Sequence, residues 1–145
     1  TMQIDFIPTN NLAQGLAALV AFDKEKSMVE NVMAMREQAK AARSAACSIA
    51  VRDSVVNGIK VKKGQYIGLV EEKIVCAGDQ LLEVAAETLR LAAEGAELIS
   101  IYYGNDMPVE QAEELVDELK KINGDWEIEL FDGGQPLYPL LMVIE

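Results

Sequence analysis

Two clusters hold the side chains best suited to chemistry. One is Arg52-Asp53-Ser54, a guanidinium, a carboxylate and a hydroxyl in succession; the other is Gly133-Gly134-Gln135-Pro136-Leu137-Tyr138-Pro139. An aspartate–serine pair acts as a nucleophile only when a base takes the serine proton. The chain has no histidine, which removes the commonest general base and the commonest metal ligand. Gly133 and Gly134 present backbone N–H groups, yet no Lys-Ser/Thr follows them and no helix opens behind them, so the phosphate-loop pattern is missing. Gly64, Gly68 and Gly78 do not fit the dinucleotide fingerprint and read as punctuation of strands. Carboxylates are plentiful but lie on predicted helix faces, where solvation is the default. The expectation is no catalytic residue and no metal site. Arg52, Asp53 and Ser54 form a surface corner, and the glycines shape a turn that aims Gln135, Leu137 and Tyr138 outward.

The 145 residues suit one domain, and half of them are hydrophobic, enough for a core. The formal net charge of -11 repels phosphate backbones and anionic bilayers. No apolar run approaches the roughly 20 residues of a membrane-spanning helix, so neither nucleic acid nor membrane insertion is expected. Cys47 and Cys76 sit in apolar strand-like stretches and read as free thiols, which favours a cytoplasmic setting. Thr1 precedes Met2, and an apolar stretch follows at once. That start predicts a fragment of a longer protein, with upstream sequence completing the sheet.

The elements that must position the two clusters follow from periodicity and turn chemistry. Residues 48–78 read as short strands joined at Asn57-Gly58, Lys63-Gly64 and Glu71-Glu72. Before them come a strand over 3–7, a loop over 8–11 whose asparagines cap the next segment, and a helix over 12–22 striped by Leu12, Leu16 and Leu19. Gly15 inside that helix implies close packing. Ser27 and Glu30 make a capping box for a second helix running to about residue 45, with Val29, Val32, Met33, the Arg36 stem and Ala39 on its apolar stripe and Met28, Met33 and Met35 as core filling. Beyond the ribbon, Asp79 caps a helix over 80–94, and residues 98–103 form a central strand. Pro108 opens a helix reaching Ile122, whose acidic face is solvated. Residues 126–131 alternate as a strand, and 140–145 form a last, antiparallel strand. The predicted fold is α/β (α+β): a mixed β-sheet with a central ribbon and a β-α-β unit, helices packed on the sheet. The single domain divides into residues 1–46, a strand plus two helices, and 47–145, the ribbon and β-α-β-β unit.

Particular residues also carry a family resemblance. They are Pro8-Thr9 with Gln14-Gly15-Leu16-Ala17-Ala18-Leu19 and Ala21-Phe22-Asp23; Asn31 with Met35; Ala50-Val51-Arg52-Asp53-Ser54 with Asn57-Gly58, Lys63-Gly64 and Tyr66-Ile67-Gly68-Leu69; Tyr103-Gly104; and residues 133–139. Together they resemble the C-terminal domain of the dihydroxyacetone-kinase-like proteins, the ATP-binding subunit of bacterial fatty acid kinase. The likeness spans essentially the whole chain. It departs from the family pattern at Glu71-Glu72, where Asp-Gly or Glu-Gly is usual, and at Cys47-Ser48, where threonine is common. A looser similarity in element order is to the second domain of DegV-like lipid-binding proteins.

The resemblance implies a division of labour. An N-terminal kinase domain would hold ATP and magnesium, a middle domain would hold metal through cysteine and histidine, and the C-terminal part would engage a DegV-like protein carrying the fatty acid whose carboxylate is phosphorylated. None of the kinase aspartates maps onto this chain. The expected role is therefore a non-catalytic docking domain within a full-length phosphotransferase, with a homodimer formed through the full-length protein as a further implied partner. Arg52, Asp53, Ser54, Gly133, Gly134, Gln135, Leu137 and Tyr138 are the expected contact or site-shaping residues, and the two clusters should meet on one edge of the sheet. The alternative is an α/β domain that binds a lipid or small carboxylate in a pocket between ribbon and helices. A self-contained kinase or hydrolase is a third and weaker reading.

Overall fold

A computed structural model describes residues 3–7 and 12–145. Four helices, α1 (Leu12–Val20), α2 (Met28–Ala41), α3 (Leu81–Ala92) and α4 (Val109–Ile122), accompany eight strands. The strands are β1 (Arg43–Ile49), β2 (Ser54–Val56), β3 (Ile59–Val61), β4 (Tyr66–Val70), β5 (Lys73–Gly78), β6 (Ile99–Tyr103), β7 (Ile128–Asp132) and β8 (Leu140–Ile144). Six strands form one mixed sheet in the order β5-β4-β1-β8-β6-β7, while β2 and β3 make a separate hairpin. The pair β6/β7 is parallel and joined through α4, and β8 runs antiparallel to both β1 and β6. This is the expected mixed α/β architecture.

Alternation along the strands divides the sheet into two faces. Ala45 and Cys47 of β1, Ile99 and Ile101 of β6, and Leu140, Met142 and Ile144 of β8 point into the main core, where Leu89 of α3 and Leu119 of α4 meet them. The opposite face is covered by α1, whose Ala17 packs with Ala42 and Val143. The acidic residues of α4 lie on its exposed face, and its buried side is Ala112, Leu115, Val116 and Leu119, as the pattern requires.

Local signals hold where the chemistry is local. Ser27 Oγ accepts from the Glu30 N–H at 3.2 Å, and the Glu30 carboxylate accepts from the Ser27 N–H at 2.9 Å. The Ser27 N–H and, after it, the Ser27 hydroxyl hold the Glu30 carboxyl below its ordinary value. Asn57 and Gly58 turn the β2–β3 hairpin at φ 50° and 79°. Cys47 and Cys76 are free thiols. Both pair with Gly68, from opposite sides of β4, so two strand spacings, about 9.6 Å, separate their backbones, too far for a disulfide. Burial pushes the Cys47 thiol up to about 12, with Cys76 adding to the shift, which removes it as a nucleophile.

Five expectations need correction. Residues 3–7 carry no strand. The second helix ends at Ala41, and residues expected in its last turn belong to β1, because pairing with β4 and β8 outweighs the helix propensity of the alanine-rich stretch. Asp79 does not cap α3: Gln80 holds the N-cap position without a side-chain bond, and Asp79 Oδ1 accepts from Gln65 Nε2 at 3.1 Å. Gly15 is not closely packed by the described residues, since a Cβ there meets none of their atoms within 4 Å. Gly68 lies inside β4 rather than at its end. The asparagine cap over 8–11 falls outside the described residues.

The β4–β5 turn is unusual because Glu71 and Glu72 both adopt positive φ, 48° and 67°, where a side chain costs about 1 kcal/mol. Glu71 has a compensating task, since its carboxylate accepts from the Ser44 N–H at 2.8 Å while its own N–H donates to Ser44 O at 3.0 Å. Glu72→Gly is therefore expected to raise stability by about 1 kcal/mol in urea titration. An unchanged or lower midpoint would show that the Glu72 side chain stabilises the turn by another route.

Candidate functional site

The strand directions bring the two clusters to one end of the sheet, beside its interior strands β1 and β8 and not on an edge as expected. β1 finishes there, β6 and β7 finish there, and β8 begins there. The loop over 133–139 bridges β7 to β8 at this end, and residues 50–53 leave β1 at the same end. Ser48 Oγ donates to Leu137 O at 3.4 Å, so Ser48 and Leu137 join the two halves, not Arg52 or Asp53. Asp53 Oδ1 accepts from the Lys63 N–H at 2.8 Å, while Ala50 exchanges backbone bonds with Gln65 and Gly64 at 2.8 and 2.9 Å. Asp53 thus pins the Lys63-Gly64 turn. Arg52 is exposed beside it, and Ser54 begins β2 half-buried.

The loop is organised from within by Gln135. Its Nε2 donates to Tyr102 O and to Tyr138 O, both at 3.0 Å, and its backbone carbonyl accepts from the Asn105 N–H at 3.0 Å. Gly133 N–H donates to Tyr103 O, and Gly104 N–H donates to Pro139 O. Gln135 does not point free into solvent, as the outward-aimed turn requires; it is half-buried and ties the loop to β6. Close packing fixes two glycines. A Cβ on Gly133 would strike the Gln135 carboxamide, and one on Gly104 would lie 2.6 Å from Tyr138 O and 3.0 Å from Gln135 O. Gly134 adopts φ 62°.

Leu137 is the exception in this tied loop. Tyr138 N–H donates to Pro136 O at 2.8 Å, which closes a three-residue turn centred on Leu137 at φ 71°. That φ belongs to the rare, strained form of the γ-turn. The leucine side chain is 81 % exposed, and Tyr138 beside it is also exposed. Ser48 and Gly104 complete the arrangement; the sequence marks them only through the family pattern, Gly104 as part of Tyr103-Gly104 and Ser48 at a departure from it, and neither is expected from the sequence to touch the loop.

Below the loop, on the α1 face, a groove of about 550 Å³ runs along β1 and β8. Leu16, Leu69, Leu141 and Val143 make it apolar, Gln135 and Tyr138 close one end, and Ser44 and Glu72 line the other. Among the described residues no lysine or arginine lines it. Among them, too, no group of three or more cysteine, aspartate or glutamate side chains is placed to hold a metal ion, and no helix is long and apolar enough to cross a membrane.

A six-stranded mixed sheet covered by helices on both faces, with a tied loop at its end, defines a mixed α/β domain. A DegV family protein from Eubacterium eligens shares it, with a TM-score of 0.54 and 16% sequence identity over 91% of this chain and 55% of that one; that protein was solved loaded with heptadecanoic acid. The profile of the FakA-like C-terminal family, the C-terminal region of proteins like the A component of fatty acid kinase, matches residues 1–145, and the chain belongs to that family. Uncharacterized proteins of Staphylococcus aureus are 31% identical over 140 residues in strain bovine RF122 and 30% identical in strain MRSA252. The match covers 96% of this chain and 26% of each relative, so the chain spans about a quarter of the length of these relatives.

Proposed function

We propose that this domain docks a DegV-like, fatty-acid-carrying protein and presents it to a kinase domain elsewhere in the full-length protein, which phosphorylates the acyl carboxylate. In this reading ATP and magnesium belong to that kinase domain, the setting is cytoplasmic, and the present chain supplies recognition. The observation that carries it is Leu137: a large apolar side chain, 81 % exposed, held out by a backbone at φ 71°. Strain of order 1–3 kcal/mol persists where surrounding structure imposes it, and such positions concentrate at binding sites. The rigid loop presents the leucine and Tyr138 together, and exposed Arg52 stands at the same end of the sheet. Tyrosine and arginine are frequent interface anchors.

The test is Leu137→Gly. Glycine accepts the positive φ, so folding stability should hold or rise slightly, while affinity for the DegV-like partner in the full-length protein should fall at least about tenfold, the loss of one anchoring contact. Unaltered affinity would overturn the assignment of Leu137.

The groove favours a second reading, an apolar small-molecule site. It suits a carboxylate poorly, because Glu72 lines it and no described cation does. Native mass spectrometry decides: an acyl chain that co-purifies with the domain supports a pocket, and a clean protein mass supports docking alone.

A further inference from the structure

The α1–α2 hairpin is incompletely covered. Of the stripe on α2 expected to be core, Ala39 alone is buried and Val32 half-buried; of the helix's fourteen residues only Asn31 and Ala39 are buried. Val29 and Met33, one turn apart on α2, are mostly exposed, as are Val20 and Phe22 at the end of α1. The segment over 3–7 adds Ile4 and Phe6, so with Leu19 of α1 seven large apolar residues in this part of the chain are each at least 55 % exposed. Scattered exposed leucines need no explanation, whereas a concentration of this kind marks an interaction surface.

Two observations bear on what covers it. The first is the path of the chain. Arg36 Nη2 on α2 donates to Asp5 Oδ1 at 3.0 Å and to Phe6 O at 2.9 Å, so the polypeptide entering at residue 3 is tethered to α2. The second is charge. The chain as a whole carries -11, yet within residues 12–41 Lys24, Lys26, Arg36 and Lys40 balance Asp23, Glu25, Glu30 and Glu37. The acidic excess lies elsewhere, on surfaces such as α4. A face without net charge does not repel an acidic or a basic covering segment, so its exposed apolar side chains decide what packs on it.

We infer that the α1–α2 face is an intramolecular docking surface, covered in the longer proteins of this family by the polypeptide that precedes this region. The match covers only 26% of the relatives' length, and the tether of residues 5 and 6 to Arg36 delivers the preceding chain directly onto α2. This surface is distinct from the loop over 133–139, so it does not depend on the proposed docking of a DegV-like protein.

Hydrogen exchange tests it. α2 amides are compared in the 145-residue chain and in a longer protein of the family that carries this chain as its C-terminal region. In the longer protein, exchange across α2 should slow by about tenfold or more, with the β1 and β8 amides unchanged. The double variant Val29→Asp/Met33→Asp should return α2 exchange in the longer protein to the level of the shorter one, while leaving the melting temperature of the shorter chain unaltered because both sites are exposed. Equal exchange in the two proteins overturns the inference. So does protection in the short chain that grows with protein concentration, which would assign the face to a second copy. Retained affinity of the double variant for the DegV-like partner separates this surface from the one at Leu137.

Discussion

Gly68→Ala is expected to cost about 3 kcal/mol of folding stability, at the upper end of overpacking effects, or roughly 6–12 °C in melting temperature for a domain of this size. The cause is the closeness of α3 to the sheet. A Cβ built on Gly68 collides with Thr88 Oγ1 and lies 2.6 Å from Cys76 Sγ and 3.2 Å from Thr88 Cβ. Thr88 is fully buried, and its hydroxyl donates to Val84 O at 2.6 Å with Cys76 Sγ 3.4 Å away. The hydroxyl therefore cannot rotate aside without leaving its acceptor in an apolar core, which adds a desolvation cost to the steric one. Relief requires α3 to lift from β4, and Leu89 and Val84 leave the core with it. Thr88→Ala removes the colliding oxygen, so Gly68→Ala/Thr88→Ala should cost less than the two single changes combined, a coupling measurable by urea titration in a double-mutant cycle. Strict additivity would mean that Thr88 is not the obstacle.

Gly68 also shows where sequence reading fails. A glycine inside a run such as Tyr66-Ile67-Gly68-Leu69-Val70 looks like the end of a strand, because what it accommodates, the Thr88 hydroxyl, lies twenty residues away. β1 is hidden for a similar reason. Ala42, Ala45 and Ala46 favour helix by themselves, and only partners at residues 66–70 and 140–144 make that stretch the middle of a sheet. Features decided within four residues are legible: the Ser27–Glu30 capping box, the Asn57-Gly58 turn, the amphipathic face of α4, the alternation in β7. The candidate site divides along the same line. Its two clusters can be named from the sequence, and their meeting at one end of the sheet follows from the strand order. The roles of their members cannot be read. Asp53 serves a backbone turn, Gln135 serves Tyr102 O and the loop's own Tyr138 O, and Leu137 is the apolar side chain held out without a bond of its own, because φ at Leu137 is set by the ties on both sides of it.

Those ties make the second large effect specific. Gly104→Ala should lower stability by about 2–3 kcal/mol and weaken partner binding as well, whereas Leu137→Gly should weaken binding alone. At Gly104 the added methyl meets backbone, Tyr138 O at 2.6 Å and Gln135 O at 3.0 Å, and backbone cannot rotate away as a side chain does. The loop must move as a unit. Its movement stretches the Gly104 N–H bond to Pro139 O and the Asn105 N–H bond to Gln135 O, and then the two bonds from Gln135 Nε2 that fix Tyr138 to β6. Released from these, the turn at Leu137 can relax to negative φ and withdraw the side chain. Thermal unfolding and partner titration on the same samples distinguish the cases. Loss of stability with full affinity in Gly104→Ala would show that recognition needs the Leu137 side chain but not its strained presentation, and loss of both ties recognition to the loop's geometry.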